Sequence, residues 1–216
     1  MIVPRDNPSD RRTLRRLPGL ALVGGCLLWL AWGGAGQGWG PPRRLQAAPT
    51  LPDYGALPSF SLHTHDGHAI GRDALLGTVW IADFIFTRCA GQCPLMSAQM
   101  AKLQAQLPRG PRIRLLSFTV DPLHDTPAVL AAYARHYGAE AGRWQFITGE
   151  AHTMATVARD GFRLGISDGG TPEEPITHSV RLVLVDQAGH IRGYYDATDA
   201  PAMERLVSDV LRLLRA

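Results

Sequence analysis

Cys89 and Cys93 are the residues whose types and spacing are best suited to chemistry in this sequence. They lie in the stretch FIFTRCAGQCP, residues 84–94, with three residues between them. A third cysteine, Cys26, lies in an apolar segment near the N-terminus. Two thiols four positions apart in a turn approach closely enough to form a disulfide or to hold one soft metal ion. The stretch therefore predicts a redox-active or soft-metal site.

A strand and a helix are expected to position this cysteine pair. Residues 79–87 (VWIADFIFT) form a near-continuous apolar run, which is typical of a central strand covered on both faces. Pro94 suits the first position of the helix that follows. Cys93 would then lie at a helix N-terminus, where unpaired N–H groups and the helix dipole predict a depressed thiol pKa. The helix has an apolar stripe, interpreted as core packing rather than a metal site: Met96, Met100, Leu103 and Leu107.

Several roles for two thiols in a turn compete. A disulfide that only stabilised the fold would contribute little here, because so short a ring removes little loop entropy. A tetrahedral zinc site needs further ligands and usually shows two paired clusters, whereas one pair is present. The residues themselves therefore leave thiol redox chemistry and copper binding open.

The remaining elements predict an α/β fold with a thioredoxin-like arrangement. The core is a βαβ unit followed by a ββα unit, with an N-terminal hairpin and an αβ insertion. Asp66-Gly67 marks the hairpin turn. The further predicted strands cover 113–120, 144–148, 179–185 and 191–195, and the further helices start at Thr126-Pro127, Glu150 and Ala200. The loop 165–175 is rich in glycine, proline and acidic residues and is long enough to suggest a function.

The charge distribution argues against a nucleic-acid-binding protein. The chain has 22 basic and 19 acidic residues, but seven of the arginines precede position 51. Residues 51–216 carry 15 basic and 17 acidic residues and are therefore close to neutral. The clustered positive charge of a nucleic-acid interface is not indicated.

The N-terminal residues read as a membrane segment. Residues 1–16 are predicted to be a cytoplasmic basic segment, 17–36 a transmembrane anchor or signal segment, 37–58 a Gly/Pro-rich tether, and 59–216 the folded domain. Arginines directly before the apolar run orient the domain outward by the positive-inside rule. A cleaved signal peptide, a lipoprotein signal ending at Cys26 and twin-arginine export are alternatives. All four interpretations place the domain outside the cytoplasm.

The sequence resembles the Sco/SenC family of copper-binding proteins of the respiratory chain. The resemblance covers most of residues 58–214 and rests on four segments: FIFTRCAGQCPLM, SFTVDPLHDTP, WQFITG and THSVRLVLVDQAGHIRGYYD. The Cys-x-x-x-Cys-Pro spacing is that of the family, unlike the Cys-x-x-Cys of ordinary thioredoxins. His178 opens a late strand, as the family's third metal ligand does.

The resemblance implies a copper metallochaperone for cytochrome c oxidase. It implies that Cys89, Cys93 and His178 bind copper, as Cu(I) and by extension Cu(II), and that the domain faces the periplasm from a bacterial inner membrane. The expected partners are the copper-receiving subunit that carries the dinuclear copper centre, other copper chaperones and thiol reductants. Asp121 is expected to support the site from close by, although Asp121 and Asp125 equally suit turn and helix caps.

The sequence departs from the family pattern after the first cysteine, and a rival function uses the same two thiols. Many members have proline after the first cysteine, whereas Ala90 and Gly91 follow here, which is expected to loosen the turn and to favour thiol redox over metal holding. The rival is a thiol-disulfide oxidoreductase that uses Cys89 and Cys93 as its catalytic pair. A peroxiredoxin-like peroxidase is disfavoured by the cysteine spacing. His63, His65 and His68 suggest a solvated polar face, with weak metal capture as the alternative.

Overall fold

A seven-stranded mixed sheet forms the centre of the domain. The computed structural model describes residues 50–164 and 180–215, together with the backbone of residues 166–167 and 177–178. The strand order is β2-β1-β5-β4-β3-β8-β9. The strands of this sheet are β1 (Ser61–Thr64), β2 (Ala69–Gly71), β3 (Val79–Ile85), β4 (Ile113–Thr119), β5 (Trp144–Thr148), β8 (Arg181–Val185) and β9 (Ile191–Asp196). A separate two-stranded ladder joins β6 (Ile166–Ser167) and β7 (Thr177–His178).

The central strand predicted from the apolar run is β3. All seven of its residues are buried, and it pairs in parallel with β4 and antiparallel with β8. Strands β3, β4 and β5 are parallel, so their carboxyl ends meet at one edge of the sheet. The cysteine loop follows β3 and therefore lies at this edge.

Four helices in the described part of the chain complete the layers: α1 (Gln92–Gln106), α2 (Pro127–His136), α3 (Ala151–Thr156) and α4 (Ala200–Arg215). A 3-10 turn covers Arg72–Leu75, and a π-helical turn, Val157–Gly161, continues α3. The units β3-α1-β4 and β8-β9-α4 are the predicted βαβ and ββα units, and β1-β2 is the predicted hairpin. Helix α1 begins two residues before Pro94, so the prediction of a start at the proline was wrong. Cys93 therefore lies inside the first turn.

The sheet separates two apolar cores. One face of β3 contributes Ile81 and Ile85 to a core with α1 and α4, where the predicted stripe of α1 is fully buried. The other face contributes Trp80 and Phe84 to an aromatic cluster with Phe118 and Phe162. This burial on both faces explains why β3 is apolar at almost every position.

Residues 51–57 pack on the domain, although 37–58 was predicted to be a tether. Leu51 and Leu57 are buried, the Tyr54 N–H donates to the Ile191 carbonyl, and the Arg192 guanidinium donates to the carbonyls of Leu51 and Pro52. These hydrogen bonds hold the segment against β9, which composition alone does not indicate. The packed domain accordingly includes residues that precede position 59.

The predicted segments 1–16 and 17–36, with Cys26, lie outside the described residues. Within residues 50–215, as far as they are described, there is no helix long and apolar enough to cross a membrane. The loop 165–175 also falls almost entirely outside the described part of the chain.

Candidate functional site

The two cysteines lie together at the start of α1. Both are in the dithiol form, and the Cys93 N–H donates to the Cys89 sulfur at 3.4 Å. Cys89 is 8% exposed and Cys93 is 1% exposed. The residues between them, Ala90 to Gln92, are exposed. The thiols are therefore neighbours that are reached from solvent through a short loop.

The thiol pKa of Cys93 is raised, so the prediction of a depressed pKa was wrong. Burial is the main cause, and the hydrogen bond with the Cys89 thiol adds to it. A backbone hydrogen bond from Phe86 opposes the shift without overcoming it. A helix N-terminus favours a thiolate, but desolvation of a nearly inaccessible sulfur outweighs that effect. Cys93 is accordingly a protonated thiol until a partner takes its proton or a cation replaces it.

Asp83 is a buried carboxyl group in the middle of β3. It is fully buried, and neither carboxylate oxygen has a well-formed hydrogen bond within the described part of the chain. Desolvation raises the pKa of Asp83 to about 7, with a smaller opposing effect from the Ser117 hydroxyl directly across the parallel ladder. Its negative charge contributes to the raised pKa of Cys93. Asp83 was not predicted as a site residue because it lies inside an apolar run.

Asp125 anchors the segment that leads into the cysteine loop. Its buried carboxylate accepts from the Thr87 N–H at 3.1 Å and from the Thr87 hydroxyl at 2.6 Å. The Thr119 hydroxyl donates to it at 2.6 Å. The cap of α2 is Thr126, whose hydroxyl accepts from the Val129 N–H. The interpretation of Asp125 as a helix cap was therefore wrong, and the residue fastens β3 to β4 just before Cys89.

Asp121 makes a second connection to the same segment. Its carboxylate accepts a hydrogen bond from the guanidinium of Arg88 at 2.6 Å. Arg88 directly precedes Cys89. Asp121, His124 and Asp125 bring possible ligand atoms within 4.8 Å of one another. The carboxylates of this group already accept hydrogen bonds from Arg88, Thr87 and Thr119. We therefore interpret the group as a support for the cysteine loop rather than as a cation site.

A polar pair lies one helical turn after Cys93. The hydroxyl groups of Ser97 and Tyr133 lie 3.0 Å apart, and Ser97 is fully buried. Burial raises the pKa of Tyr133, and interactions with Tyr137 add to the shift. Tyr133 is therefore a neutral group that links α2 to Ser97 of α1, one turn after Cys93.

His178 is placed by its backbone at the same edge of the sheet. It lies in β7 opposite Ile166, three residues before β8 begins. Since β8 runs antiparallel to β3, its first residues lie beside the end of β3 that leads into the cysteine loop. The strand that follows His178, β8, pairs next to the cysteine-bearing strand β3. The prediction that His178 itself opens this strand was wrong, because His178 ends β7 and β8 begins at Arg181. The imidazole of His178 lies outside the described residues.

Polar contacts hold two of the three histidines of the N-terminal hairpin, His65 and His68. The Phe146 N–H donates to Nδ1 of His65 at 3.2 Å, and Nδ1 of His68 lies 3.2 Å from an Asp66 oxygen. His63 is exposed on β1. Among the residues described, these histidines form no metal-binding group, and the contacts fit a solvated polar face.

Sequence and structure comparisons with known proteins find members of one family. The sequence model of the SCO1/SenC family matches residues 50–215. A SCO1 protein homolog of Bacillus subtilis is 32% identical over 70% of this chain and 79% of its own length. BsSco, described as a Sco-family cytochrome c oxidase assembly protein with a disulfide switch, aligns at 30% identity and a TM-score of 0.67, over 77% of this chain and 96% of its own. Copper-bound ScoI of Arabidopsis thaliana shares the fold at 22% identity and a TM-score of 0.62, over 74% of this chain and 99% of its own.

Proposed function

This chain belongs to the SCO1/SenC family, and on that premise we propose that it is a copper metallochaperone for cytochrome c oxidase assembly. The observation that carries the proposal is the adjacent pair of thiols at the edge of the sheet, with the Cys93 N–H directed at the Cys89 sulfur. Copper is the cargo, received at this site and passed to the oxidase subunit that carries the dinuclear copper centre.

The donor set suits Cu(I). Two thiolates and one imidazole provide the soft, low-coordinate environment that this ion prefers. Binding replaces the thiol protons of Cys89 and Cys93, so each ion taken up by the pair releases two protons. The positive ion then compensates the thiolate charge in a region where burial makes a bare thiolate costly. Cu(II) is a further expected cargo state.

His178 is the proposed third ligand. Its backbone lies just before β8, whose start adjoins the end of β3 that leads to Cys89. The geometry supports the assignment by bringing the two segments to one edge of the sheet. The imidazole nitrogen would complete the site begun by the two sulfurs, and the solvent-exposed loop Ala90 to Gln92 would let a recipient exchange ligands with it.

A thiol-disulfide oxidoreductase is the second candidate. The observation that favours it is the dithiol itself, together with the disulfide switch described for BsSco. In this reaction Cys89 and Cys93 would give two electrons and two protons to a partner's disulfide and would form a disulfide with each other. Oxidase subunits and other envelope proteins that contain a cysteine pair would be the substrates.

We place the domain outside the cytoplasm of a bacterial cell, attached to the inner membrane through residues 17–36. The support is the uncharged apolar run preceded by arginines. The partners of the domain in this location are the copper-receiving oxidase subunit, other copper chaperones and thiol reductants.

Copper titration of the full chain tests the proposal. The reduced protein is expected to bind one equivalent of Cu(I) with high affinity, and the same protein with a Cys89–Cys93 disulfide is expected to bind none at this site. A reduced chain that takes up no copper in competition with a weak chelator would contradict the metallochaperone assignment. A reduction potential well below about −300 mV would contradict the oxidoreductase, because such a disulfide is structural.

A further inference from the structure

Two exposed leucines flank the cysteine loop. Leu123 is 86% exposed and Leu95 is 39% exposed. Of the large hydrophobic side chains that are exposed in the described part of the chain, the others are Tyr54 and Leu76. A single exposed leucine is common on protein surfaces, but these two are distinguished by where they lie and how they are held.

Leu123 is displayed by a short arch, residues 121–125, that is fastened at both ends. Asp121 at one end accepts from the Arg88 guanidinium. Asp125 at the other end accepts from the Thr87 N–H and hydroxyl. Backbone hydrogen bonds from His124 and Asp125 to the Asp121 carbonyl close the arch. Leu123 therefore has a fixed position beside the segment that leads into Cys89.

Leu95 lies on the other side of the loop, in the first turn of α1 and two residues after Cys93. Pro94 beside it is exposed, as are Ala90 and Gly91 of the loop. Within residues 88–95 the only charged side chain is Arg88, and it is paired with Asp121 in an ion pair at 2.6 Å. The described residues that adjoin the thiols in sequence are otherwise uncharged.

We propose that this apolar rim, Pro94–Leu95 and Pro122–Leu123, is the docking surface for the copper-receiving protein, which presents its own thiols from an apolar, weakly charged loop. The inference rests on the proposed function, because a protein that exchanges ligands with Cys89 must cover the rim that surrounds it. An uncharged rim matches an uncharged partner surface, and burial of one leucine stabilises such a complex by roughly a factor of ten in affinity. Docking of this kind depends little on ionic strength.

Copper transfer to two kinds of recipient tests the rim. The full chain, loaded with one Cu(I) ion, is mixed with the purified copper-free domain of the oxidase subunit that carries the dinuclear copper centre, and separately with the small chelator bicinchoninate. Leu123→Ser and Leu95→Ser are each expected to slow transfer to the protein about tenfold and to leave transfer to the chelator unchanged. Leu76→Ser is the matched control. Leu76 is 45% exposed at the opposite end of β3, beside Gly77, whose N–H donates to the Gln187 carbonyl.

A second readout needs no copper. Association of the copper-free chain with the same domain, measured by calorimetry, is expected to weaken about tenfold in Leu123→Ser and not in Leu76→Ser. Wild-type transfer and association by Leu123→Ser would overturn the inference, as would equal slowing towards the chelator. Failure of the wild-type chain to bind copper would instead contradict the proposed function, so the two failures are distinguishable.

Discussion

The carboxylate of Asp125 holds Thr87 through both its backbone N–H and its hydroxyl, two residues before Cys89. The Thr119 hydroxyl occupies the same carboxylate at 2.6 Å. Asp125 is fully buried, so these bonds form away from water. They fix the path by which β3 turns into the cysteine loop, and they join that path to the end of β4.

Asp125→Asn is therefore expected to weaken both the fold and the site. An amide has one acceptor oxygen where the carboxylate has two, so a buried donor of Thr87 or Thr119 loses its acceptor, at a cost of about 1–3 kcal/mol. The affinity for Cu(I) is expected to fall roughly tenfold, because loss of a residue that orients a metal ligand typically lowers metal affinity by at least this factor. Denaturant unfolding and chelator competition measure the two effects. The control is Asp160→Asn at a surface carboxylate paired with Arg159. Unchanged copper affinity in the destabilised variant would show that the anchor does not serve the site.

Cys89 is expected to react with iodoacetamide before Cys93. Cys89 is the more exposed sulfur, and burial raises the pKa of the Cys93 thiol, which leaves less thiolate to attack. Brief alkylation of the reduced chain at neutral pH, followed by peptide mass mapping, measures the order. Both cysteines should react at similar rates in the denatured chain. Preferential labelling of Cys93 in the folded chain would contradict the burial order.

Asp83 predicts a pH dependence of stability. The folded-state pKa of about 7 lies above the unfolded value near 3.9, so the folded state retains the proton longer. The resulting stabilisation is complete below about pH 4 and is lost as the pH rises through about 7, a change of about 4 kcal/mol. Asp83→Asn should lack this loss.

Paired denaturant titrations of wild type and Asp83→Asn at about pH 4.5 and about pH 8 measure the effect. The variant is expected to gain stability relative to wild type at the higher pH. Asp73→Asn, at an exposed carboxylate, controls for surface charge. Parallel pH profiles of wild type and Asp83→Asn would show that Asp83 ionises normally in the folded protein.

Local patterns were sufficient to predict most of the fold. The apolar run predicted β3 because a strand buried on both faces needs apolar residues throughout, and the stripe of α1 predicted its buried face. The packing of residues 51–57 was missed because its hydrogen-bond partners, Ile191 for Tyr54 and Arg192 for Leu51, lie more than 130 positions away. Tertiary contacts of this kind leave no local pattern in the sequence.

The site was predicted less completely for the same reason. The spacing of Cys89 and Cys93 identified the thiols, but the pKa direction of Cys93 followed from a local helix rule, whereas the sulfur is buried by the whole core. Asp125 resembled a cap because it precedes α2, and its actual partner, Thr87, is 38 positions earlier. The raised pKa of Asp83 could not be predicted from the sequence, because it results from burial of the carboxyl group within the folded sheet.

The central claim is tested most directly by Cu(I) affinity in His178→Ala. Chelator competition on the reduced full chain is expected to show at least tenfold weaker binding than in wild type, while dithiol-disulfide exchange by Cys89 and Cys93 continues. His152→Ala, at an exposed histidine on α3, is expected to bind copper as wild type does. Wild-type affinity in His178→Ala would contradict a site built from two cysteines and this histidine.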